Sequence, residues 1–191
     1  MHFENDLYYI EKTLAGDRHA FGQLIQKHQN YAYTLAYRIL KNSEEAEEAT
    51  QDSFMKVYDS LKKFERKSKF TTWLYKIVYH EALGRLRKMK NIMIDIDEVT
   101  DLKLPVDDFS NGLELLHLQE RKDLIKNALD GLKATESAVL TLFYLEEQSI
   151  KEIEVITELS ESHIKILLHR GRKNMLISLQ KFTKKEISHL L

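Results

Sequence analysis

Phe64-Glu65-Arg66-Lys67-Ser68-Lys69-Phe70-Thr71-Thr72-Trp73-Leu74-Tyr75-Lys76-Ile77-Val78-Tyr79-His80-Glu81-Ala82-Leu83-Gly84-Arg85-Leu86-Arg87-Lys88-Met89-Lys90 passes from a basic, turn-rich loop into a helix. Thr71 or Thr72 stands where a helix N-cap is expected. Leu74, Ile77, Val78, Ala82, Leu86 and Met89 then recur mostly at helical spacing, an apolar stripe that must pack on something. Lys76, Tyr79, His80, Arg87 and Lys90 fall outside the stripe. Cations interleaved with aromatics, fed by a loop that carries Arg66, Lys67 and Lys69 between Phe64 and Phe70, suit phosphate neutralisation combined with base stacking. Single-stranded nucleic acid is the ligand such a surface accepts most readily. An amphipathic helix with a solvated basic face has the same pattern, so the rest of the chain must decide between the two.

The 191 residues suffice for two small domains or one of medium size. A hydrophobic share of 43% with 31% charged residues places the chain among folded globular proteins and argues against wholesale disorder. The net charge of −1 does not announce a nucleic-acid binder. The charge is segregated, however. Residues 66–90 are strongly basic, whereas Asp95, Asp97, Glu98, Asp101, Asp107 and Asp108 follow with Lys103 alone among them. With no cysteine there is no disulfide framework or thiolate metal site, which fits a reducing compartment. The acidic start and the lack of a membrane-length apolar run predict a cytoplasmic protein with no membrane insertion.

An all-α fold is expected, because proline occurs once, at Pro105, and strand-like alternation is hard to find. Leu7, Ile10 and Leu14 mark a short amphipathic segment stopped at Gly16-Asp17. Residues 20–40 form a long helix burying Phe21, Leu24, Ile25, His28, Ala32, Leu35 and Ile39. His28 reads as a satisfied core or boundary histidine, since no second ligand stands at helical spacing from it. The next helix, to Leu61, starts at Asn42 or Ser43, with Asn42 and Glu45 spaced as a capping box and acids filling its first turn. It buries Ala46, Ala49, Ser53, Phe54, Val57 and Leu61, and turns out Glu44, Glu47, Glu48, Gln51, Asp52, Met55 and Lys56. That acidic face with a soft apolar spot is either solvated or docked on a basic partner protein.

Residues 92–112 lose all periodicity and read as an acidic linker between a domain at 1–91 and another at 113–191. In the second, Leu124, Ile125, Ala128, Leu129 and Leu132 stripe one helix and Val139, Leu140, Leu142, Phe143 and Leu145 the next. Ser149 and Glu152 then form a capping box for a short helix with Ile153 and Ile156 in the core. Thr157-Glu158-Leu159 makes a turn, and Ser160 caps a second helix burying Ile164, Leu167, Leu168, Gly171 and Met175. That helix carries Lys165, His169, Arg170, Arg172 and Lys173, the layout of a helix-turn-helix whose second helix enters the major groove. A purely structural helix pair remains the alternative, but the cations lie on the second helix and not the first.

In this order the segments resemble bacterial RNA polymerase sigma factors of the sigma-70 family, in the compact extracytoplasmic-function group. The helix from Asn42 to Leu61, with Ala46-Glu47 and Gln51-Asp52-Ser53-Phe54, resembles the one that binds the polymerase largest subunit. Phe70 to Ile77 is similar to the minus-ten recognition and melting segment, and Leu86-Arg87-Lys88 to its basic end. Residues 132–173 resemble the minus-thirty-five helix-turn-helix, notably Ser149 to Ile153, Ser160-Glu161 and Leu168 to Lys173. The resemblance implies core RNA polymerase and promoter DNA, duplex and single-stranded, as partners, admits an anti-sigma factor, and calls for no cofactor or metal. It implies core binding by Glu47, Gln51, Asp52, Met55 and Lys56. It implies minus-ten contacts by Arg66, Lys67, Lys69, Phe70, Trp73, Lys76, His80, Arg87 and Lys88, and minus-thirty-five contacts by Ser162, His163, Lys165, Ile166, His169, Arg170 and Lys173. Trp73 adjoins the apolar stripe and reads first as a core aromatic, second as a stacking platform.

The chain departs from the family pattern at His80 and Gly84, where Asn and Asp are usual, and at Glu158, where the turn usually holds glycine. Ile166 and Leu167 replace commonly polar or basic residues, so promoter sequence does not transfer from relatives. An enzyme is not expected: His80-Glu81 lacks the second histidine of a helical zinc motif, because Gly84 stands there, and no phosphate-cradling glycine loop appears. The alternatives are a helix-turn-helix regulator that acts without polymerase and a helical adaptor.

Overall fold

The structure, a computed structural model, describes residues 3–90 and 125–190, within which every regular element is helical. The expected linker and Leu124 lie outside the described residues. The N-terminal half contains α1 (Phe3–Leu14), α2 (Arg18–Leu40), α3 (Ser43–Ser60), a tight turn Leu61–Lys63 and α4 (Phe70–Lys90). The C-terminal half opens on helical residues 125–130. There follow α5 (Ala134–Leu140), a widened helical turn Thr141–Leu145, α6 (Ile150–Thr157) and α7 (Glu161–Leu190). No helix among the described residues is long and apolar enough to cross a membrane.

Local chemistry sets the helix ends. The Asp17 carboxylate accepts from the His19 and Ala20 amides, so α2 starts two residues earlier than its apolar periodicity indicates. Asn42 caps α3 by accepting from the Glu45 amide at 3.1 Å, but the reciprocal half of the expected box is absent, because Glu45 turns to Arg85. At α6 the box is complete: Ser149 accepts from the Glu152 amide, and the Glu152 carboxylate accepts from the Ser149 amide at 2.8 Å. Thr71 and Thr72 do not cap α4; the helix already includes Phe70, and Thr72 is fully buried.

α2, α3 and α4 pack mutually, and α1 closes over α2. The core takes Leu24, Leu35 and Ile39 from α2, Ala46, Ala49 and Val57 from α3, and Leu74, Val78, Ala82 and Leu86 from α4, as their spacing predicts. His28 is the satisfied core histidine: its ring lies 3.1 Å from the buried Asp6 carboxylate, which also pairs with Lys27 at 2.5 Å. Burial raises the Asp6 pKa, but the His28 and Lys27 contacts outweigh it and hold the carboxyl below its ordinary value. Several expectations fail. Tyr79 is buried instead of outward, Met89 leaves the α4 stripe for solvent, and Leu7 and Leu14 stand exposed on either side of buried Ile10. In the C-terminal half Ile125 and Leu145 are exposed although their spacing put them inside.

The halves lie against each other, α5 on α2 and α6 on α4. Arg38 meets Asp130 at 2.9 Å, and the Lys41 ammonium donates to the Asp130 and Leu132 carbonyls.

Candidate nucleic-acid interface

The outward side of α3 presents the expected acidic face: Glu47, Gln51, Asp52 and Lys56 are exposed, and Met55 is 62% exposed at its centre. Sequence reasoning missed that this face is anchored from α4. The Arg85 guanidinium reaches Glu48 at 2.9 Å, Glu45 at 3.2 Å, Glu81 at 3.1 Å, and Asp52. The Glu48 contact leads the causes that keep Arg85 protonated far above the ordinary arginine range. Lys56 is not free for a partner, since its ammonium pairs with Glu81. Burial raises the Glu81 pKa, but hydrogen bonds from Lys56 and Arg85 bring it below the usual carboxylate range. Neutralising this many carboxylates by one fork of donors fixes where Glu48 and Asp52 stand before any partner arrives.

The predicted minus-ten residues separate into two sets. Arg66, Lys67, Lys69, His80, Arg87 and Lys88 are exposed and Lys76 half-buried. Arg66, at φ 59 in the loop, reaches Glu11 at 3.1 Å, and Lys67 pairs with Glu65. Phe70 is a correction: at 3% exposure it belongs to the core, with the Phe64, Trp73 and His28 rings around it. Trp73 is half-buried against Phe64 and Phe70, nearer its core reading than a free stacking platform. Both aromatics brace the loop and do not project from it.

The helix-turn-helix forms as its sequence predicts. α6 ends at Glu158, which adopts a left-handed φ of 60, and the Ser160 hydroxyl accepts from the His163 amide at 3.4 Å to start α7. Ser162, Ile166 and His169 are exposed in succession along the outward side of α7, and half-buried Lys173 continues the line. Lys165 is exposed beside them and pairs with Glu161 at 2.6 Å, while His163 is half-buried. Arg170 is the second correction. Its guanidinium turns inward to Glu136, a fully buried carboxylate on α5 that also accepts from Asn174 at 3.2 Å. A lone acid in an apolar helix was the available signal, but nothing in the linear order says which cation answers it. Gly171 sits where α7 crosses α5 so closely that a Cβ would lie 2.9 Å from a Leu140 methyl. Among the described residues no group of acids and histidines could hold a metal ion.

Acidic residues of the C-terminal half face α4. Lys69 meets Glu152 at 2.8 Å, Lys76 meets Glu158 at 2.8 Å, and His80 approaches Glu158 at 3.9 Å. Buried Tyr75 donates to Glu146 at 2.6 Å, and buried Thr72 lies 3.4 Å from Gln148. Desolvation pushes the Tyr75 phenol far above its ordinary range and raises Glu146, with the Tyr75 hydrogen bond only partly restoring the latter. His80 is held below the ordinary imidazole value, chiefly by burial, with Glu158 opposing.

Comparison with known proteins gives matches over both halves. The sigma-70 region 2 family model matches residues 24–92 and the sigma-70 region 4 model residues 122–175. The extracytoplasmic-function RNA polymerase sigma factor SigW of Bacillus subtilis strain 168 is 30% identical over 177 residues, covering 86% of this chain and 91% of the relative. RNA polymerase sigma factor SigV of the same organism is 30% identical over 158 residues, covering 82% and 89%. Among solved structures, CnrH in complex with the cytosolic domain of CnrY matches with a TM-score of 0.62 and 18% identity, covering 93% of this chain and 98% of that one. RpoE in complex with the anti-sigma factor NepR from Bartonella quintana matches with a TM-score of 0.63 and 24% identity, covering 84% and 96%. These two show a shared fold.

Proposed function

The chain belongs to the sigma-70 family, in its extracytoplasmic-function group, and from this we infer how its surfaces divide the work of directing core RNA polymerase to promoters. The role is not enzymatic. The reading is carried by one coincidence: the region 2 match covers the exposed acidic face of α3 and the basic loop and face of α4, and the region 4 match covers the outward stripe of α7. Glu47, Gln51, Asp52 and Met55 dock on polymerase, a charged face with an apolar anchor. Arg66, Lys67, Lys69, Lys76, His80, Arg87 and Lys88 neutralise the displaced strand, whose unstacking costs roughly 1.4 kcal/mol per step. Ser162, Ile166, His169 and Lys173 face duplex DNA upstream. A cytoplasmic location follows from those partners.

Purified chain added to core polymerase on a template bearing its promoter should give run-off initiation. Duplex binding without polymerase association would return the chain to the class of polymerase-independent regulators.

Ile166 sharpens the prediction for sequence reading. It is 37% exposed amid polar neighbours, an apolar side chain suited to the C5 methyl group of thymine. Replacing a contacted thymine by uracil deletes that methyl and should weaken duplex binding roughly fourfold, the worth of one buried methyl group. The chain with Ile166→Ala should not distinguish the two duplexes; equal discrimination by both chains would remove Ile166 from base reading.

A further inference from the structure

We propose that Arg85, which stands on α4 behind the docking face, is a positioning residue for polymerase binding: it clamps the α3 carboxylates in the arrangement a basic partner surface meets, and so governs how long the complex lasts. The inference rests on the docking role of α3 proposed above. Its basis is the way one guanidinium is divided. Nη1 donates to Glu45 and Glu48, Nη2 to Asp52 and Nε to Glu81, so each nitrogen of the fork is committed. Glu45, Glu48 and Asp52 stand three and four residues apart on one stripe of α3, where like charges repel. A planar fork of donors holds such carboxylates in fixed directions; a lysine ammonium on a flexible stem does not.

The clamp reaches the assigned docking residues from two sides. Asp52 is held by Arg85 directly, and Lys56 is held through Glu81, whose other oxygen accepts from the Arg85 Nε. Met55 lies between Asp52 and Lys56 in the sequence, so the exposed apolar anchor is flanked by two side chains whose positions are fixed. The Arg85 side chain is 18% exposed, against 53% for Asp52 and 67% for Glu48. The cation therefore stands inside and the carboxylates it orders face out. Its contacts use one oxygen of each, which leaves the second for a partner. Two effects of opposite sign come from this arrangement. Loss of the Arg85 charge makes the α3 face more negative, which speeds encounter with a basic surface at low salt. Loss of the fork frees Glu45, Glu48 and Asp52, and docking must then order side chains that the parent chain already holds in place.

The test uses the full chain and core polymerase, with association and dissociation rates measured separately at two salt concentrations. Arg85→Met keeps an unbranched apolar stem and deletes the fork. It should dissociate roughly tenfold faster, the effect of ordering two freed side chains, and associate faster than the parent at low salt, with helical circular dichroism unchanged. A chain that was merely destabilised would supply less binding-competent protein and raise neither rate. Arg85→Lys restores the charge alone, so its association should match the parent while its dissociation stays several-fold faster. Parental dissociation rates in both variants, or full rescue by lysine, overturn the proposal. Met55→Ala separates the premise from the inference: polymerase binding indifferent to it would overturn the docking reading of α3, and the role of Arg85 with it.

Discussion

Arg170→Ala should abolish promoter use by loosening the C-terminal half, with polymerase docking through α3 retained. Glu136 is fully buried on α5, and Arg170 is its charged partner, helped by Asn174. Removing one member of a buried pair leaves the other charge uncompensated, at a cost of about 3–5 kcal/mol. The C-terminal unit is small, and small units hold little reserve. Its melting temperature should therefore fall by more than about 10 °C. Replacing both partners with Glu136→Met and Arg170→Met should recover most of that stability, since apolar residues of similar volume are often neutral in place of a buried pair. This second variant separates two roles that Arg170→Ala confounds. Promoter use that returns with the fold makes Arg170 a brace for α7; promoter use that stays lost with the fold restored makes it a DNA contact as well.

Periodicity and capping chemistry carry most of the fold. The α2 and α3 core positions, the α6 capping box and the Ser160 cap are local, depending on residues three or four apart, and local rules apply to them directly. What was not legible depends on which distant residue answers a charge. Arg85 and Arg170 look alike as exposed cations on basic helices, yet one gathers the α3 carboxylates and the other neutralises Glu136. Helical spacing also fails where a helix is covered on more than one side. Tyr79 lies off the apolar stripe but is buried, with its phenol pushed up to about 12 mainly by desolvation. The C-terminal half covers more of α4 than a single stripe records: α6 lies against it, and Gln148 and Glu146, in the segment before α6, close over Thr72 and Tyr75. The candidate site was legible as residue types at positions, therefore, and not as which of them are free to act.

The same distinction governs Phe70, where substitution should show a core residue behind an apparent stacking residue. Its ring is 3% exposed, 5.5 Å from the His28 ring and 5.9 Å from Phe64, so Phe70→Ala opens a cavity where α4 begins and should cost about 3–5 kcal/mol. That is a large part of the roughly 5–15 kcal/mol that holds a typical domain folded. His28 also contacts the Asp6 carboxylate, so the loosening should spread to α1 as well as to the loop bearing Arg66 and Lys67. Polymerase binding and strand capture should then fall together. Phe70→Leu keeps most of the apolar volume and should cost less than about 1.5 kcal/mol. If the ring stacked on a base, leucine would lose strand capture as badly as alanine while the fold and polymerase binding survived. The buried position predicts the opposite, near-normal capture with leucine, whereas Lys67→Ala and Arg87→Ala should weaken capture and leave stability and polymerase binding alone.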